Sequence, residues 1–121
     1  MEFLTPADFV ALSNPGVQSL QLLSPHNSSS VRVTITRVTV ERGATQIRHT
    51  HASSEQIWIA LTGAGELLLD ENRRQTFQQG EVVRFADGEM HGFENTGSDA
   101  FVYLSITSPP LDFAYAYARK A

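Results

Sequence analysis

The chain contains no cysteine. Disulfides, thiolate metal ligands and a cysteine nucleophile are thereby excluded, although the absence does not fix the redox state of the compartment. Basic charge is also scarce: nine Lys and Arg stand against 13 Asp and Glu, for a net charge of −4. The cations are scattered and leave no basic footprint, so a nucleic-acid partner is not expected. Long apolar runs are missing too. Nothing approaches the roughly 20 residues of a membrane span, and residues 1–6 lack the charged and apolar regions of a signal peptide. No membrane partner is expected, and a cytoplasmic location follows by default. With only four histidines in the chain, where they fall is informative.

What is present describes an ordinary globular protein. A hydrophobic content of 41% with 18% charged residues suits one domain over all 121 residues. In an N-terminal extension (1–16), Thr5-Pro6 reads as a cap and first turn. Phe9, Val10 and Leu12 then predict one short helix, ended by Asn14-Pro15-Gly16. Strands are predicted over 17–23, 31–41, 56–62, 66–70, 75–78, 81–85, 90–95 and 100–106. Turns are predicted at Gly63-Ala64-Gly65, Glu71-Asn72-Arg73, Asp87-Gly88 and 96–99. Some eight to ten short strands at this interval imply an all-β sandwich or barrel. His26, in a polar loop over 24–30, has no partner at ligand spacing and is expected in solvent. The tail (108–121) leaves the strand pattern at Pro109-Pro110, and its aromatics Phe113, Tyr115 and Tyr117 are expected to dock on the barrel or on a second subunit.

Three of the four histidines lie in two glycine-bounded segments. The first runs Gly43, five residues, His49-Thr50-His51, four residues, Gln56, six residues, Gly63. The second runs Gly80, five residues, Ala86-Asp87-Gly88, two residues, His91, three residues, Asn95. On a strand, His49 and His51 point the same way. A third imidazole from a later strand completes the nitrogen-rich set that first-row divalent metals prefer. Two residues compete for a fourth position, Glu55 and Gln56. Gln56 shares a strand face with Trp58 and Ala60, and Glu55 shares one with Ile57, Ile59 and Leu61; both rows are apolar, so strand phase leaves the choice open.

The two segments resemble the two motifs of the cupin family, at 43–63 and 80–95. Ala86 stands where the second motif has proline, a change of turn rigidity and not of chemistry. The resemblance implies an all-β double-stranded β-helix, a jelly-roll barrel with its metal near one open end. Family spacing puts Gln56 at the ligand position and Glu55 outside it. The implied set is then His49, His51, Gln56 and His91 around one divalent transition metal ion, Mn, Fe, Ni, Zn or Cu. Three imidazoles and a neutral amide leave the full +2 charge on the ion, which favours Lewis-acid chemistry over stabilising a high oxidation state.

The resemblance accordingly implies a metal-dependent enzyme of isomerase or lyase type on a small oxygen-rich organic acid or sugar derivative. A metal-dependent dioxygenase and a non-catalytic small-ligand-binding module are the alternatives. By alternation Trp58, Phe93, Tyr103 and Ser105 are expected as pocket walls. Arg37 interrupts an apolar, threonine-rich strand, as a carboxylate anchor or on a solvated face. The ligand set and Ser108-Pro109 after the last strand are also similar to the small pectin-degrading cupins that linearise unsaturated uronates. Where those carry Asp, Phe and Arg this chain has Ser105, Thr107 and Leu111, so ring opening does not transfer. Small cupin barrels pair, and the doubly apolar strand at 56–62 with the tail aromatics leads us to expect a closed homodimer.

Overall fold

The structure is a computed structural model, and it describes residues 1–117. Its strands are β1 (Val10–Asn14), β2 (Val17–Leu23), β3 (Thr34–Val40), β4 (Thr45–His49), β5 (Glu55–Thr62), β6 (Ala64–Leu68), β7 (Arg74–Gln78), β8 (Val82–Phe85), β9 (His91–Glu94) and β10 (Phe101–Ser108). They form two antiparallel sheets, one ordered β1-β2-β3-β10-β5-β8 and the other β4-β9-β6-β7. The sheets face one another as a jelly roll, the arrangement the sequence implied. Among the described residues no helix is long and apolar enough to cross a membrane.

Alternation decides what each strand buries. On β3, Thr34, Thr36, Val38 and Val40 are buried while Arg37 is exposed; on β10, Phe101, Tyr103, Ser105 and Thr107 are buried. Register carries this pattern across the larger sheet in rows. Ser19, Val38, Tyr103 and Ala60 form one inward row, followed by Gln21, Thr36, Ser105 and Trp58, and then by Thr34, Thr107, Gln56 and Phe85. The interior therefore grades from apolar to polar along the barrel. The apolar end is closed by Val40, Phe101, Phe77, Phe93 and Leu67, all buried between the sheets. Apolar area removed from water here is the main stabilising term. The polar end holds the site.

Three sequence expectations are corrected. The N-terminal helix is only a 3₁₀ turn at Pro6–Asp8, and Val10–Asn14 is a strand that pairs with β2. Asn14-Pro15-Gly16 is a stop signal, but of a hairpin: Asn14 faces Val17, with Gly16 at φ 75° between them, a turn that proline and glycine favour. Gly63-Ala64-Gly65 is not all turn. Gly63, at φ 91°, makes the corner, and β6 starts at Ala64. Gly65 is inside the strand, paired with Phe77, and a Cβ there would lie 2.3 Å from the Phe93 ring. The strand expected over 31–41 is shorter, spanning Thr34–Val40. His26 is exposed, and its Nε2 lies 3.1 Å from Asp112 Oδ1.

Candidate metal centre

His49 is the last residue of β4 and lies directly opposite His91, the first residue of β9. Between Gln46 and His49 the register of β4 shifts by a bulge. Gly92 makes room for it: a Cβ there would stand 2.7 Å from the Gln46 carbonyl oxygen and 3.0 Å from the Arg48 nitrogen. His51 comes after the strand, not on it. Its carbonyl accepts a 2.7 Å hydrogen bond from the Gly88 N–H, so the turn of the second glycine segment fixes the end of the first. That turn has lost its proline but gained a clasp, because the Ala86 N–H, which proline would lack, donates to Glu89 Oε1 at 2.9 Å.

The three rings converge. Centroids are 4.4 Å apart for His49 and His91, 4.9 Å for His49 and His51, and 5.3 Å for His51 and His91. One potential ligand atom from each lies within 4.8 Å of the others, and no carboxylate or thiolate joins the group among the described residues. His49 Nδ1 meets the Ile47 carbonyl at 2.8 Å, and His91 Nδ1 meets that of Glu89 at 3.0 Å. A carbonyl can only accept, so each Nδ1 carries the proton and each Nε2 keeps its lone pair. The Tyr115 hydroxyl lies 3.4 Å from His51 Nδ1. His51 and His91 are buried, and their Nε2 atoms have no partner among the described residues. Burial, with His49 nearby, lowers the pKa of His51 to about 4. Burial lowers that of His91 to about 3, against the Glu89 hydrogen bond. Both imidazoles are neutral at pH 7, the form that binds metal. Orphaned, neutral, buried nitrogens aimed at one another fit a divalent ion.

β5 separates the two contenders for the fourth position. Glu55 turns outward and pairs with Arg84 at 2.6 Å. Gln56 is buried on the inner face. Its Nε2 donates to Thr107 Oγ1 at 3.0 Å and its Oε1 accepts the Trp58 indole N–H at 3.1 Å. The oxygen retains one lone pair. Phe85 stacks on the His91 ring at 4.4 Å, and Trp58 meets it edge-on at 5.5 Å.

A cavity of about 390 Å³ opens beside the histidines, and its walls include His49, His51, Gln56, Trp58, Tyr103 and Ser105. Phe93, expected in those walls, and Arg37, weighed as an anchor there, are elsewhere. Arg37 stands on the outer, exposed face of β3, because Thr36 and Val38 occupy the inner one. Phe93 is fully buried in the apolar end, stacked on Phe101 at 4.3 Å. The tail supplies what sequence reasoning did not assign. After Pro110 the chain folds back, and Phe113, Tyr115 and Tyr117 line the cavity. Phe113 packs against His51 at 5.8 Å, and Asn14 Nδ2 holds the Ala116 carbonyl at 2.9 Å. The aromatic spacing of the tail signalled docking, but nothing in it named the surface.

Comparison with known proteins agrees with this architecture. The family model for the cupin domain matches residues 36–107. The uncharacterized protein MJ1618 of Methanocaldococcus jannaschii is 28% identical over 90 residues, 74% of this chain and 71% of that protein. Among solved structures, KdgF from Halomonas sp. superposes with a TM-score of 0.76 at 22% identity, covering 93% of this chain and 96% of that one. Ectoine synthase from P. lautus gives 0.78 at 13% identity, covering 96% and 83%. At these identities the likeness is one of fold.

Proposed function

The chain belongs to the cupin domain family, and on that premise we propose that it is a metal-dependent enzyme acting on a small oxygen-bearing molecule. The proposed ligands are His49, His51, Gln56 and His91. The observation that carries the reading is the pair of buried Nε2 atoms on His51 and His91 that have no partner among the described residues. A buried polar atom without a partner costs free energy, on the order of 1–3 kcal/mol, that a bound ion would recover.

A bound divalent ion would supply Lewis acidity, undiminished by any carboxylate in the set. The chain's own residues do the rest. The Ile47 and Glu89 carbonyls fix the tautomers of His49 and His91. Thr107 and Trp58 hold the Gln56 amide so that its oxygen faces inward. The aromatic walls shed water and orient the substrate beside the histidines. Ectoine synthase, on the same fold, is an enzyme by name.

Calorimetric titration of the metal-free protein with Mn, Fe(II), Ni, Zn and Cu tests the reading. One ion per chain is expected, with affinity lost in His91→Ala. A wild-type protein that takes up none of these ions at micromolar concentration refutes it. Turnover of a substrate panel in air and under nitrogen then separates Lewis-acid chemistry from oxygenase chemistry.

A further inference from the structure

Among the described residues, no Asp, Glu, Lys or Arg lines the cavity. Charged side chains beside lining residues are engaged elsewhere: Arg37 is exposed on the outer face, Glu55 pairs with Arg84, and Asp112 pairs with His26. Arg48 Nε is tied to the Leu69 carbonyl at 2.8 Å. The walls are instead built from rings, with Trp58 and Tyr103 at a centroid distance of 4.3 Å on one side and Phe113, Tyr115 and Tyr117 from the tail on the other. Burial raises the pKa values of Tyr103 and Tyr117 above the ordinary phenol value, so both hydroxyls stay uncharged.

Resting on the metal reading above, we propose that the ligand is an uncharged ring compound with two adjacent oxygens on one edge, phenol-like or enol-like in chemistry, and not a sugar acid. A carboxylate on the body of the ligand would be buried against Val38, Trp58 and Tyr103 with no cation among the described residues to pair with, and that desolvation is unrecovered by them. The two edge oxygens, in contrast, face the histidines, where a divalent ion compensates negative charge. A flat ring exploits the aromatic faces, which prefer offset or edge-on aromatic partners at 4.5–7 Å. The cavity volume is also at the small-ligand end of the general range of about 300–1,000 Å³.

The chain's single tryptophan, Trp58, lies in the wall and provides the readout. We would titrate 2,3-dihydroxynaphthalene, D-galacturonate and oxalate into the metal-free and the metal-loaded protein and follow Trp58 fluorescence, with calorimetry of the metal alone alongside. Dihydroxynaphthalene should quench Trp58 in both forms and bind the loaded form at least tenfold more tightly than either acid. Thr45→Arg, at an exposed position of the wall, adds a cation without disturbing the core and should narrow that gap at least threefold. Galacturonate or oxalate binding as tightly as dihydroxynaphthalene, to a protein that demonstrably holds its metal, overturns this inference and leaves the metal reading standing. A protein that binds no metal overturns both.

Discussion

Gln21 is fully buried on β2, and neither its amide nitrogen nor its oxygen has a partner among the described residues. Gln21→Leu should therefore raise stability by about 1–3 kcal/mol, measured by urea denaturation, because it removes two unsatisfied groups at similar volume. A loss of stability would show that the amide is satisfied after all. The histidines make a second claim at this scale. In the folded chain His51 and His91 titrate near 4 and 3, below their ordinary 6.5. The unfolded chain thus takes up protons first. Metal-free protein should be fully stable above about pH 6.5 and weaken progressively as pH falls toward 4 and then 3. Thermal melts in a chelator from pH 8 to 4 check this; a His51→Asn, His91→Asn double variant with an unchanged pH slope would contradict it. The histidines were legible in sequence because their spacing is rare, and the structure brings all three together. Glu55 and Gln56 were not separable by strand phase, because the outward row of Ile57 and Ile59 is itself half-buried and so as apolar as the inward one.

β4 and β9 are the elements on which the site depends, and Gly92 sets their fit. Gly92→Ala would drive a methyl group into the backbone of the β4 bulge, at an expected cost of about 1–3 kcal/mol. The same substitution should lower metal affinity by tenfold or more, since it disturbs the register that places His49 opposite His91. A variant with wild-type affinity would show that the bulge adapts. The errors in reading elements from sequence have one cause: local signals mark where an element stops more reliably than what it is. Phe9, Val10 and Leu12 are too few to tell a helical period from a strand, and only pairing with β2 decides in favour of the strand. Gly65 was read as a turn because contact with the Phe93 ring, 28 residues on, leaves no local trace.

For the whole molecule, the outer face of the larger sheet raises the question of assembly. Leu20, Arg37, Leu104, Ile59 and Val82 form one outward row across five strands, and Ile35, Ile106 and Ile57 form the next. Val82 is 62% exposed. We propose that a second copy covers this face in a two-fold dimer, since contiguous exposed apolar patches mark interfaces. Sedimentation should give a dimer at micromolar concentration and a monomer for Ile59→Arg; a monomeric wild type would reject the proposal. Of the tail aromatics, expected on the barrel or on a second subunit, Phe113 and Tyr117 pack on their own barrel. The other sheet has a different exposure, because β4 is one of its two edges and, among the described residues, pairs within that sheet only with β9. An unpaired strand edge is a template on which a further chain can add, the first step toward fibrous self-association. Because β4 ends in His49 and faces His91, an ion bound by both rings would pin that edge down. An ion at a hundred times its Kd would stabilise the folded chain by about 2.7 kcal/mol. Metal starvation would then endanger the protein's solubility as well as its chemistry, with aggregates seeded from a seam that the loaded protein keeps closed.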